Sequence, residues 1–265
     1  MSYWGSINCP TCFKFSSDFF ETLTYNNTLL FLVKNCVFLK KIPFSHKNLS
    51  SKVSHKSEKA KPYNCCSALN IDILNILNGA LLGDCHAERR KKGKGTRFSF
   101  AQEASHKEYL LWLHDKVATL GYCSPKLPKI TTRLAKKGKI RYVIRFNTFT
   151  YKTLNYVHAD WYKSNVKHVP LNIKSLLSPM GLAIWLMDDG GRVSSGVKFA
   201  TNSFSYEDCV LLSNALFEKF ELRTSVQSAG VPNQYVIYVF KESMPTLRKI
   251  VKPYMVSSML YKLGG

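Results

Sequence analysis

The chain predicts an α+β half-domain built twice, the copies facing each other across a pseudo-twofold axis. Three observations predict it. Two short apolar segments each end in an acid, Leu77-Asn78-Gly79-Ala80-Leu81-Leu82-Gly83-Asp84 and Leu182-Ala183-Ile184-Trp185-Leu186-Met187-Asp188-Asp189. The same order of elements follows each of them, as in an internal repeat. Those elements alternate between period-two strands and helices of period 3.6. An apolar helix that delivers a carboxylate at its end is costly unless that charge has work to do.

Residues 1–66 read as a flexible leader outside the fold, because Ser, Asn and Lys dominate Ser45 to Lys61 with little periodicity. The first half-domain spans 67–168 and the second 169–265. Each opens with its acid-ended helix. Ser178-Pro179 supplies a cap and a first-turn proline for the second, and Ser67 is the candidate cap for the first. A short strand follows, Arg97 to Ala101 and then Val197 to Thr201 in the second copy. Tyr109, Leu113, Val117 and Leu120 make the next helix amphipathic, with Gly121 placed to end it; Val210, Leu212, Leu216 and Phe220 do the same later. A hairpin comes next, Lys129 to Leu134 returning as Lys139 to Phe146, and Arg223 to Gln227 returning as Gln234 to Phe240. A last helix closes each copy, near Thr153 to Tyr162 and Met244 to Tyr254, with Lys167 and Lys262 just beyond.

Of 265 residues, 38 are Lys or Arg against 17 Asp or Glu, a formal charge of +21. That excess predicts attraction to a polyanion, and its spread through the folded part predicts a charged surface rather than a basic arm. The most apolar early run, Leu29 to Leu39, is too short to span a membrane and is interrupted by Lys34. Eight irregularly spaced cysteines read as reduced thiols. Cys9-Pro10-Thr11-Cys12 has metal-knuckle spacing, but no second pair follows. The first arginine is Arg89, so no ordinary Arg-rich transit peptide is expected.

The strand from Lys139 to Phe146 carries the clearest binding signal. Alternation puts Lys139, Arg141, Val143 and Arg145 on one face, and Ile140, Tyr142, Ile144 and Phe146 on a face expected to pack on helices. Arg97 and Ser99 alternate likewise against Phe98 and Phe100. Lys129, Arg133, Lys198, Gln227 and Gln234 complete the candidate DNA contacts: Arg and Gln can read base edges, while Lys positions phosphates. The run from Arg89 to Arg97 is a basic, glycine-punctuated loop suited to phosphates. Hydrolysing a phosphodiester needs oxygen ligands for Mg²⁺ and a means of stabilising charge. Mg²⁺ is commonly held by one or two carboxylates. Asp84 and Asp189 fit that role if their helices pack side by side, and Gly79, Gly83 and Ala183 are small enough to allow it. Lys167 and Lys262 are repeat-equivalent and suited to a scissile phosphate.

From Ser67 to Leu263 the chain resembles a monomeric LAGLIDADG homing endonuclease of the intron-encoded organellar type. The residues that carry the resemblance are Gly79 to Asp84, Leu176 to Gly191, Ala200 to Phe204 and Met259 to Leu263. The resemblance implies two αββαββα halves with motif helices as the shared core, and β-saddles over the DNA major groove. It implies Mg²⁺-dependent cleavage of both strands, leaving short 3′ overhangs, with Mn²⁺ able to substitute. Asp84 and Asp189 match the metal-binding catalytic acids, and Lys167 and Lys262 the active-site lysines. Asp188 is then secondary, contributing through its backbone, and Gln102 and Asn202 fall near water-positioning places. The first motif ends in Cys85 where the family has Gly.

The implied partner is double-stranded DNA at an intron insertion site, cut by a monomer encoded in mitochondria, with chloroplasts as second choice. No membrane partner is expected. An RNA maturase assisting splicing of its host intron is the alternative, and a catalytically silent DNA-binding protein is a third reading. Retention of both aspartates and both lysines favours the nuclease.

Overall fold

The structure is a computed structural model that describes residues 70–89, 93–134 and 138–264. The leader at 1–66, Cys9, Cys12, Ser67 and the centre of the basic loop at 90–92 lie outside the described residues. In chain order the first half holds α1 (Ile71–Leu82), β1 (His86–Arg89), β2 (Thr96–Glu103), α2 (Lys107–Thr119), β3 (Ile130–Leu134), β4 (Ile140–Asn147) and α3 (Asn155–Trp161). A small hairpin, β5 (Tyr162–Lys163) and β6 (Val166–Lys167), and a single turn, α4 (Ile173–Leu176), lead onward. The second half holds α5 (Pro179–Asp189), β7 (Gly190–Val193), β8 (Gly196–Ala200), α6 (Tyr206–Phe220), β9 (Thr224–Ser228), β10 (Tyr235–Val239) and α7 (Met244–Val251). Both sheets are antiparallel with the same order, β1-β2-β4-β3 and β7-β8-β10-β9. The fold is therefore αββαββα twice.

Each half has two strands before its middle helix, where the residue pattern alone predicts one. The reason is composition. His86-Ala87-Glu88-Arg89 is short and polar, and β7 begins Gly190-Gly191; neither stretch has the β-branched or aromatic content that marks a strand.

The helices form where their caps predict. Ser178 accepts from the Gly181 N–H at 3.0 Å, with Pro179 in the first turn. The cap of α1 is Asn70, whose side chain accepts from the Asp72 N–H at 2.7 Å, and not Ser67. Gly121 ends α2 at φ 79°, a left-handed conformation that suits glycine. The bonds Gly121 N–H to Ala118 O and Tyr122 N–H to Val117 O close that end.

α1 and α5 are mostly apolar and deeply buried, α1 over its last two turns, Ile76 to Leu82, and α5 over most of its length, Gly181 to Met187. They pack on each other with backbones almost touching. A Cβ at Gly79 would lie 2.4 Å from the carbonyl oxygen of Gly181, and one at Gly83 would lie 2.4 Å from the Asp188 Cβ. Gly181, rather than Ala183, is thus the small residue that admits Gly79. Asn78 is buried on α1, and its side-chain oxygen accepts from the Trp161 indole at 3.1 Å, tying α1 to α3.

The sheets flank this helix pair. In β4 the inward face holds only for Ile144 and Phe146. Ile140 and Tyr142, expected on helices, are 62% and 58% exposed, as is Leu134 opposite Ile140 at 74%. The end of the β3–β4 hairpin runs beyond the helical layer, so both of its faces are bare. No helix among the described residues is long and apolar enough to cross a membrane.

Gly79→Ala is expected to overpack the helix contact and cost about 1–3 kcal/mol, read as a lower urea midpoint. Gly191→Ala, where a Cβ would meet nothing within 4 Å, should leave the midpoint nearly unchanged.

Candidate active site

The ends of α1 and α5 meet, and three carboxylates gather there. Asp189 is the last residue of α5, while Asp84 lies in the turn just past α1. The Asp84 N–H donates to Asp188 Oδ2 at 3.3 Å. Gln102 Nε2, from β2, donates to Asp84 Oδ2 at 2.7 Å and to Asp188 Oδ1 at 3.0 Å. The Tyr109 hydroxyl, from α2, donates to Asp188 Oδ1 at 2.8 Å. Burial, then the charge of Asp84, pushes the Asp188 carboxyl well above the usual range. The Asp189 carboxyl is pushed up to about 7 by burial and then by Asp84, with Lys167 and Lys262 pulling the other way. Asp84 and Asp189 thus repel across a shared space.

Two lysines offset that charge. The β5–β6 turn places Ser164 and Asn165 at φ 49° and 63°, as a tight two-residue hairpin requires, and returns Lys167 to the site. Its Nζ donates to the carbonyls of Gly83 and Cys85, both at 3.2 Å. Lys262 comes from a 3-10 segment, Ser257–Leu263, held by Arg248 on the carbonyls of Leu263 and Gly264. Its Nζ donates to the carbonyls of Met187 and, at 2.9 Å, Asp188. Each ammonium therefore seals the carbonyl end of one motif helix. Burial lowers both lysine pKa values, and the three acids oppose that shift.

A groove of about 680 Å³ runs from Asp84 and Gln102 along Arg133, Lys139, Arg141 and Arg145. The β-pairing sets these arginines on one face: Arg133 opposite Arg141, and Arg145 beside Ala101 in β2. Ser99 shares that face through Asn147, and Lys129 is exposed just before β3. Arg97 is tied to Glu88 at 2.6 Å across β1 and β2. In the second sheet Lys198 pairs with Tyr238, and Gln227 with Val236, on the corresponding face. That face has less positive charge.

Residues 74–247 match the family model described as the LAGLIDADG DNA endonuclease family. The chain belongs to that family. The cytochrome b mRNA maturase bI2 of Saccharomyces cerevisiae is 40% identical over 283 aligned positions, covering 100% of this chain and 67% of that protein. The maturase of the same description from Debaryomyces hansenii is 47% identical over 197 residues, covering 74% and 75%. Among solved structures, the homing endonuclease I-WcaI bound to its DNA recognition sequence matches with a TM-score of 0.66 at 24% identity. That match covers 74% of this chain and 88% of the other, and establishes the shared fold.

In this LAGLIDADG chain the two acids, both lysines and Gln102 converge at one place. Asn202 does not join them: it is exposed and donates to Gln234 at 2.7 Å. The sheet register explains why. His86 pairs with Ser99, and its counterpart Gly191 pairs with Lys198, so Gln102 corresponds to Thr201, and Asn202 to Glu103. Thr201 turns its hydroxyl to Tyr235 O at 2.8 Å. Sequence reasoning missed the side chain of Asp188, and with it Tyr109 and also His106, whose Nδ1 lies 3.3 Å from Gln102 Oε1. The Asp188-Asp189 doublet was a signal; Tyr109 gave none, since it occupies an ordinary core position of an amphipathic helix.

Folded Asp189 holds its proton up to about 7, whereas an unfolded aspartate releases it near about 3.9. The folded state binds more protons between these values, so this group's contribution to stability is lost as pH rises through that window. Asp188 acts in the same sense. Asp189→Asn should reduce that downward slope in metal-free protein, measured by urea unfolding from about pH 4 to about pH 8.

Proposed function

We propose that the chain is a site-specific double-strand DNA endonuclease that promotes homing of its intron, hydrolysing phosphodiester bonds with Mg²⁺ or Mn²⁺. The observation that carries this reading is the meeting of Asp84 and Asp189 between Lys167 and Lys262, with Asp84 at one end of an arginine-lined groove. A polyanion in that groove would present its phosphates to the acids.

The donor set fits a divalent ion that is completed by substrate. Among the described residues, no three His, Cys, Asp or Glu side chains form a cage of their own. Mg²⁺ needs only one or two carboxylates, since water and phosphate oxygens fill its octahedron. The mutual repulsion of Asp84 and Asp189 is also what a cation would relieve. Those two residues would hold it, and when bound it supplies charge neutralisation and an acidified water.

The chain's own groups do the rest. Each lysine commits two of its three N–H donors to backbone carbonyls and keeps the third for a phosphate oxygen. Gln102 fixes the Asp84 carboxylate. Lys129, Arg133, Lys139, Arg141, Arg145 and Lys198 position the duplex backbone, and Ser99, Gln227 and Gln234 face it alongside them. Arg97 joins by exchanging Glu88 for DNA. One chain carries both centres, so a monomer suffices, with half-domains at 67–168 and 169–265 behind the leader at 1–66. The relation to cytochrome b mRNA maturases supports a mitochondrial origin. It also favours a second activity, assistance to splicing of the host intron.

Purified protein should linearise plasmid carrying the intronless insertion site in the presence of Mg²⁺. Asp84→Asn and Asp189→Asn should abolish cutting of both strands while binding persists in gel-shift assays; normal cutting by either variant would refute the assignment. Binding should weaken steeply with salt, the log–log slope changing by about −0.9 per phosphate contact. If the maturase activity is separate, Asp84→Asn will still support splicing of the host intron in vitro.

A further inference from the structure

We infer that Asp188, Tyr109 and His106 are positioning residues for one cleavage centre alone, the one at Asp84, so that the two target strands meet chemically unequal centres. The inference rests on the nuclease reading and deepens it.

The repeat supplies the comparison. The strand registers and the core positions of the middle helices share one offset: Leu110, Leu113 and Val117 of α2 correspond to Cys209, Leu212 and Leu216 of α6. By that offset Gln102 corresponds to Thr201, His106 to Ser205 and Tyr109 to Asp208; the motif helices, aligned instead on Asp84 and Asp189, set Asp188 against Gly83. None of the four pairs is chemically alike.

In the first half these residues form a continuous chain of hydrogen bonds. His106 Nδ1 lies 3.3 Å from Gln102 Oε1 and, as donor, fixes which way the amide points. Both Gln102 N–H groups are then spent, one on Asp84 and one on Asp188. Asp188 is in turn pinned by the Tyr109 hydroxyl and by the Asp84 N–H. The carboxylate of Asp84 is thereby held at a fixed orientation from side chain and backbone at once.

The second half spends its equivalents elsewhere. Asp208 closes a capping box with Ser205 and accepts from the Val169 N–H at 3.1 Å. Thr201 bonds a backbone carbonyl of β10. Gly83 has no side chain to offer. Among the described residues, no donor hydrogen-bonds the Asp189 carboxylate, which is held only by its helix and by the field of the two lysines. A reacting group held by a hydrogen-bonded second layer differs from one without: removal of such partners costs roughly 10–100-fold in activity.

The test uses Tyr109→Phe, which removes one hydroxyl and keeps the ring, and His106→Ala. Plasmid cleavage is followed with each strand labelled separately. We expect either variant to slow one strand about tenfold or more while the other stays within about twofold, so that nicked circles accumulate. Equal slowing of both strands, or of neither, would overturn the inference. A second readout needs no activity. In metal-free, DNA-free protein, NMR of the Gln102 side-chain amide and the Asp84 backbone N–H should shift in Tyr109→Phe, while the Asn202 amide does not. Unmoved Gln102 and Asp84 signals would also refute it. If the wild-type protein binds but cuts neither strand, the nuclease reading fails, and the NMR result still decides whether the positioning chain exists.

Discussion

The rest of the molecule depends on the contact of two glycine backbones. With Gly79 set against Gly181, α1 and α5 approach closer than side chains would permit, and their ends arrive side by side. Any side chain at Gly79 would drive the helices apart and separate Asp84 from Asp189. Apolar packing supplies the energy of this arrangement, since each fully buried Leu, Ile or Met contributes about 1.5–3 kcal/mol. The glycines supply its geometry. Fold and site are thus the same construction here, and the core cannot loosen without displacing the acids.

That construction places negative charge where a helix least welcomes it. The C-terminal end of a helix already carries partial negative charge from its unpaired carbonyls, and acids there are destabilising. Lys167 and Lys262 answer both problems by binding the carbonyls and standing beside the carboxylates. Their ammonium groups pay a desolvation penalty of their own. Two lysines on one side and three acids on the other leave the repulsion between carboxylates only partly offset.

Much of this was legible in the residues. The duplication and the convergence of both acids and both lysines follow from repeated position, because a feature that is weak once becomes specific when it recurs at the same place. The strands β1 and β7 came only with the family resemblance and could not be read from composition, as sheet pairing rescues segments whose own residues are poor strand formers. Asn202 was misplaced by one register step, which turns a side chain to the other face. Tyr109 could not be read at all: it acts on Asp188 from another element, and no local pattern encodes a contact across 79 positions. His106 touches only Gln102, so it could not be read before Gln102 was placed. The inward face of β4 failed at Ile140 and Tyr142 because alternation says which residues share a face, not whether anything covers it.

That uncovered hairpin end has an evolutionary consequence. Substitutions where nothing packs usually change stability by less than about 0.5 kcal/mol. The tip around Leu134, Ile140 and Tyr142 can therefore drift almost freely, beside the groove that Arg133, Arg141 and Arg145 line. This fold leaves the rim of that groove free to vary in sequence while the glycine-locked helices hold Asp84 and Asp189 in place.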